Sequence, residues 1–423
     1  SERRVITPPS RFWSSVGPGL LWAAAAIGVS HLVQSTRAGA VGGFALCGVI
    51  LLALILKYPF FEYGPRYAAA TGTSLVEGYS RLGRWAVWLY LLITVSTCLF
   101  VQTAVVMLTA FLIQFAFGLN WPLPVTAAIL MVLCAGLLWL GRFKGLDIAV
   151  KAIMALLALS TLAAAFVSLP RADFSTLALW PSSIGIAIPF AFLLALVGWM
   201  PSAIDISVWS SLWTLAKDES SGVRSSVHTA RLDFQIGYVG TAFLAFAFVS
   251  LGAGVMFGSG ESFSPAGGAF STQLIELYSQ TLGAWTRPIV LVAVVTTMVS
   301  TTLTVIDGFP RGIERAVANL RSQKRGGSSA PSAGKTYWIS VGVLAAATVL
   351  VLAFFIGNLT TMVDFATIVS FLTAPALGYL NLRAVTAPEV PEECRPGKAM
   401  RALSWLGLVL LGCVGLVYLG TLV

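Results

Sequence analysis

The sequence predicts an all-α polytopic membrane protein with eleven transmembrane helices, and three observations carry that prediction. Of 423 residues, 57% are apolar and 10% are charged, against about 25% charged in a soluble domain. The apolar residues fall in continuous runs long enough to span as helices, not in the short alternating segments of an outer-membrane barrel. Lysine and arginine gather in alternate loops. So much apolar surface cannot be hidden in a water-soluble core, which excludes a cytosolic enzyme and a disordered or fibrous chain. Five cysteines are too sparse for a secreted disulfide scaffold. Cys47, Cys98, Cys134, Cys394 and Cys413 share no metal-ligand spacing and read as small, inert hydrophobes.

The elements follow in order, each span needing about 20 residues. The first, 15–38, opens after Arg3, Arg4 and Arg11, and no convincing small-residue cleavage site ends it, so it reads as a retained helix. The second, 41–69, is long and leads to Arg66, Arg81 and Arg84. The third, 84–117, is long enough to require tilt or extension past the bilayer. Arg142 and Lys144 separate the fourth, 121–141, from the fifth, 146–169. The sixth, 180–213, is again long, and Lys217, Arg224 and Arg231 precede the seventh, 233–257. Arg311, Arg315, Arg321, Lys324, Arg325 and Lys335 lie between the eighth, 285–308, and the ninth, 335–357. The tenth and eleventh, 360–384 and 401–422, flank Arg395 and Lys398.

The loops of the other side, 118–124, 252–264 and 357–359, carry almost no Lys or Arg. Positive-inside counting then predicts a cytoplasmic N-terminus and an outside C-terminus in the plasma (inner) membrane. The net charge of +9 is a topology signal, not a sign of a nucleic-acid partner. Residues 322–334 read as a flexible linker. The whole chain, 1–423, reads as one membrane domain: a first repeat over about 15–169, a second over about 180–384, and an extra helix over 401–422.

Two spans carry interruptions. Gly198-Trp199-Met200-Pro201-Ser202 falls near the middle of the sixth, where proline removes a backbone donor and clashes with the preceding turn. Gly28-Val29-Ser30-His31 is a weak point at the matching depth of the first. Spans one and six correspond in a 5+5 inverted repeat, and paired interruptions in corresponding halves point to a transport site at the bilayer midplane.

Gly17-Pro18-Gly19, the following span and Arg37-Ala38-Gly39-Ala40 resemble the opening of the NRAMP (natural resistance-associated macrophage protein) divalent-metal transporters. Met200-Pro201 resembles that family's Met-Pro-His signature, and Ser300-Thr301-Thr302 its eighth-helix polar stretch. The resemblance covers essentially the whole chain. It implies a LeuT-type fold with broken helices one and six, and secondary transport by alternating access.

The site departs from the family it resembles. The resemblance places Gly28, Val29, Ser30 and His31 where the family has Asp-Pro-Gly-Asn, and Ser202 and Ser207 where it has histidines. Thr367 stands for a glutamine that assists the metal, Arg37 for a glutamate and Lys57 for a glutamine. Residues 85–139 contain no Asp or Glu, although the family keeps proton-pathway carboxylates there. Chemistry, and no longer resemblance, then suggests a cargo. A hard divalent cation needs oxygen ligands, usually a carboxylate among them, whereas helix N-termini at the two breaks favour a negative guest.

The expected cargo is therefore a small anion such as bicarbonate or a carboxylate. Its candidate residues are Gly28, Val29, Ser30, His31, Lys57, Met200, Pro201, Ser202, Asp205 and Thr367. The alternative is a divalent metal held by His31, Met200 and Asp205. An unpaired cation near the midplane costs about 2.5–3.5 kcal/mol, so Lys57 is expected to meet Glu62, Asp205 or an anionic cargo. Asp205 follows Ser202 at the spacing of a capping box, with cargo contact as the other reading. His31 reads equally as a hydrogen-bonded membrane histidine or a ligand, and Met200 as packing or a ligand. Arg37 is expected to snorkel outward, and Asp307 and Asp364 to be solvated or paired. Ser300 and Thr301, with Thr302, bond within their own helix or, in the other reading, form a sodium site. Sodium or a proton is the expected coupling ion. No cofactor, catalytic grouping or nucleic-acid partner is expected, only a small cargo, membrane lipid and a monomer.

Overall fold

The computed structural model describes residues 17–140, 143–178, 180–181, 185–321, 334–354 and 358–422. The expected linker falls almost entirely outside the described residues, as do Arg3, Arg4, Arg11 and Arg142. Among the described residues the chain forms fifteen α-helices and no strands. Nine helices among the described residues are long and apolar enough to cross a membrane. The first and sixth expected spans are each divided into shorter pieces.

The first span comprises α1 (Pro18–Ala26), a π-helical stretch over Ser30–Ser35, and α2 (Thr36–Gly42). The second is α3 (Cys47–Thr71), which continues through Pro59 and Pro65. A short helix absent from the sequence reading, α4 (Leu75–Leu82), follows it and starts on a capping box between Ser74 and Glu77. Then come α5 (Arg84–Phe117), α6 (Leu123–Leu140) and α7 (Phe143–Ser168). The sixth span is α8 (Phe190–Gly198) and α9 (Ile206–Ser221), and the seventh is α10 (Val227–Val255).

A second unanticipated helix, α11 (Gly267–Leu282), precedes α12 (Arg287–Arg321). That eighth span runs thirteen residues past the expected end at 308, because Ile306, Phe309 and Ala316 stay buried among its charged residues. The last three spans are α13 (Lys335–Phe354), α14 (Leu359–Val385) and α15 (Lys398–Gly420).

Lipid offers apolar side chains no hydrophobic reward for pairing, so helices in a membrane gain by close backbone approach. The α2–α10 crossing shows this. A Cβ on Gly39 would lie 2.0 Å from the Val249 carbonyl oxygen, and one on Gly252 would lie 2.2 Å from that of Thr36.

Charge separates the two ends of the bundle. At one end Glu62 pairs with Arg66 at 2.8 Å and Arg231 at 2.6 Å, while Glu77 pairs with Arg315 at 2.6 Å. Arg66 also donates to the Cys394 carbonyl, and Arg224 to that of Ala69. Basic residues from three expected loops of one side thus meet at that end, with the Cys394 carbonyl from a fourth. At the opposite end Arg37 grips Asp364 of α14 through two bonds of 2.7 and 3.1 Å.

Candidate functional site

The first break begins where α1 stops at Ala26. Gly28 lies so close to α12 that a Cβ there would be 2.9 Å from Thr301 Cγ2. The Ser30 hydroxyl donates to the Ala26 carbonyl at 2.6 Å, capping the end of α1 from across the break. His31 is fully buried. Its Nε2 donates to the Thr241 carbonyl of α10 at 3.0 Å, and its Nδ1 lies 2.8 Å from Ser30 Oγ and 3.2 Å from Ala26 O. Nε2 carries the ring proton, so Nδ1 faces the Ser30 hydroxyl as an acceptor and competes with Ala26 O for the hydroxyl's one proton.

The second break lies between Gly198 and Ile206. Its floor is α14: a Cβ on Gly198 would lie 2.1 Å from the Thr367 carbonyl oxygen, and the Trp199 indole donates to Ser370 Oγ at 2.8 Å. The expected partners of Lys57 are not the ones it has. Glu62 belongs to Arg66 and Arg231, and Lys57 Nζ instead donates to the carbonyls of Val197, Gly198 and Ser202 at 3.0, 2.9 and 2.8 Å. Backbone acceptors at a helix C-terminus satisfy an ammonium as well as a carboxylate does.

Two further expectations need correcting. Arg37 does not snorkel; it holds Asp364, accepts the Phe192 ring 4.8 Å from its guanidinium carbon, and donates to Gln34 Oε1 at 3.0 Å. The capping box from Ser202 to Asp205 does not form: Asp205 itself occupies the N-cap of α9 and makes no side-chain cap bond there. Met200 is buried, and its side chain does not line the cavity described next.

Between the breaks lies a cavity of about 40 Å³, room for more than one water-sized body. Its polar lining residues are Ser30, Ser202 and Thr301; its wall is otherwise apolar and includes Trp199, Trp209 and Phe309. Val29 also lines it, so the sequence-derived set supplies Val29, Ser30, Ser202 and Thr301. Gly28, His31, Lys57, Met200, Pro201, Asp205, Thr367 and Ser300 surround the breaks without lining it. Thr301 donates to Thr297 O at 3.0 Å and Thr302 to Met298 O at 2.8 Å, bonds within one helix, while the Ser300 carbonyl accepts from the Thr304 hydroxyl at 2.8 Å. Thr367 accepts from Gln34 at 3.4 Å and donates to Val363 O at 2.8 Å. The aromatic wall was not foreseen, because a tryptophan in an apolar span carries no local mark of function.

Several backbone groups at the two breaks are already paired. The carbonyls that end α1 and α8 are taken by Ser30 and Lys57. The helices that restart beyond the breaks have no side-chain acceptor at their N-caps, Val29 and Asp205, and spend their first N–H groups on backbone: Leu32 on Gly28 O at 2.9 Å, Ser207 on Ile204 O at 2.9 Å and Val208 on Asp205 O at 3.0 Å. The Trp209 indole N–H has no acceptor among the described residues. No group of three His, Cys, Asp or Glu residues is placed to hold a metal among the described residues.

The comparisons with known proteins agree with one another. The profile of the family described as "Natural resistance-associated macrophage protein-like" (Nramp) matches residues 19–421. An uncharacterized protein of Pasteurella multocida (strain Pm70) is 35% identical over 96% of this chain and 90% of its own length. A metal transporter of Populus trichocarpa, Nramp6.2, is 31% identical over 32% of this chain and 24% of its own. Among solved structures, the manganese transporter of Eremococcus coleocola superposes with a TM-score of 0.72 at 15% identity, covering 99% of this chain and 88% of that one. The transporter MhsT in complex with L-phenylalanine superposes with a TM-score of 0.63 at 14% identity, covering 94% and 98%.

Proposed function

The chain belongs to the Nramp family of LeuT-fold secondary transporters, and from that premise we propose that its cargo is a small organic carboxylate and not a divalent metal. The unpartnered indole N–H of Trp209, a residue of the cavity wall, carries this reading. A metal ion seeks oxygen acceptors, yet Ala26 O at the end of α1 and Gly198 O at the end of α8 already accept from Ser30 and Lys57. A carboxylate seeks donors, and the Trp209 N–H is a buried donor without an acceptor among the described residues. The apolar wall of Trp199, Trp209 and Phe309 favours a guest with a hydrocarbon body over bicarbonate.

For coupling we favour a proton over sodium. Asp205 is 2% exposed and its Oδ1 has no hydrogen-bond partner among the described residues. Ionisable side chains inside a membrane typically serve ion or proton paths. The gathering of basic residues at one end supports a cytoplasmic N-terminus in the inner membrane.

Purified protein in liposomes tests the reading. Saturable uptake of acetate, propionate or butyrate, enhanced by an inward acid gradient, is expected, with no uptake of manganese or magnesium. Saturable manganese uptake would restore the metal reading. Absence of all flux, with unchanged behaviour of Gly28→Trp, would instead point to a non-transporting role.

A further inference from the structure

The Lys57 ammonium sits where carbonyl oxygens converge from two stretches of backbone. Val197 O and Gly198 O come from the end of α8, and Ser202 O from within the break. The side chain is 1% exposed, and no carboxylate pairs with it among the described residues. The Phe61 ring face, 5.6 Å from Nζ, adds a second wall that favours positive charge. Converging backbone carbonyls are the means by which membrane proteins replace the hydration shell of a bare monovalent cation. The C-terminal end of α8 contributes its partial negative charge to the same point.

We infer that this carbonyl cage is a monovalent-cation site which the chain fills with its own ammonium group. Lys57 Nζ acts as a tethered cation that holds the end of α8 and the backbone of the break in register, and so shapes the cavity wall at Trp199 and Ser202. The wild-type protein then needs no sodium or potassium at this point, and cutting the lysine stem back opens the cage to a free ion of ammonium size. A lysine that merely caps a helix would leave no such exchangeable site.

The test follows thermal unfolding of wild-type and Lys57→Ala protein in detergent while ammonium, methylammonium or potassium chloride is titrated, with choline chloride as the ionic-strength control. The alanine variant is expected to unfold at least about 5 °C below wild type. Ammonium or methylammonium should recover at least half of that loss saturably, as binding to the folded state requires, while choline recovers none and wild type responds to none of them. A folded Lys57→Ala protein with no cation-specific recovery would overturn the inference, and so would a saturable response of wild type. If the variant is recovered folded only from membranes solubilised in ammonium, the inference stands; failure with every cation overturns it. The readout involves no cargo, so failure of the carboxylate reading leaves it untouched.

Discussion

The break between α1 and α2 is closed from within its own helix, and the break between α8 and α9 from outside. At the first, Ser30 reaches back to the Ala26 carbonyl over four residues. At the second, a charged side chain arrives from α3, 140 residues away in sequence. The first break also rests on a side chain, Thr301 of α12, whereas the second rests on the Thr367 backbone of α14. Short hydroxyls tolerate adjustment, and backbone against backbone does not. The second break is therefore the stiffer of the two, and the first is the one able to adapt to a guest.

Glycine substitutions at the two breaks should break the comparison most visibly. In Gly198→Ala a methyl group must displace a carbonyl oxygen 2.1 Å away, so a loss of about 3 kcal/mol or more in unfolding free energy is expected, or no folded protein. In Gly28→Ala the obstacle is the Thr301 methyl at 2.9 Å, which can rotate, and about 1 kcal/mol is expected. Equal losses in denaturant titrations of the two variants would contradict the difference in stiffness.

Trp209→Phe tests the donor side. It keeps an aromatic wall and removes the N–H, so KM for a carboxylate should rise about tenfold with folding unchanged, the worth of about 1.4 kcal/mol of guest binding. Ser30→Ala removes a neutral bond whose acceptor keeps the Gly28 N–H at 3.0 Å, and about 1 kcal/mol of stability is expected to go. Asp364→Asn loosens the partly exposed clamp on Arg37 and should cost less than about 1 kcal/mol in thermal unfolding, falling further as salt is raised.

The long unbroken spans were legible because length and hydropathy alone specify a membrane helix; the third matches its expected bounds of 84–117 residue for residue. The breaks were legible from Pro201 and Gly28, residues that disturb any helix. Less was readable where the deciding partner is backbone. The chain cannot signal in advance that Lys57 meets carbonyls, since every residue has one. The helix α4 did leave a mark, Ser74 and Glu77 at capping-box spacing, but it is too short to register as a span. Arg37 and Asp364 lie 327 residues apart, and only folding brings them together.

Calorimetric titration of the purified protein with manganese and, separately, with a small carboxylate such as propionate tests the cargo most directly. Saturable binding of one carboxylate per chain is expected, weakened in Trp209→Phe, with no heat from manganese. One manganese bound per chain, lost in Asp205→Asn, with every carboxylate inert, would contradict it.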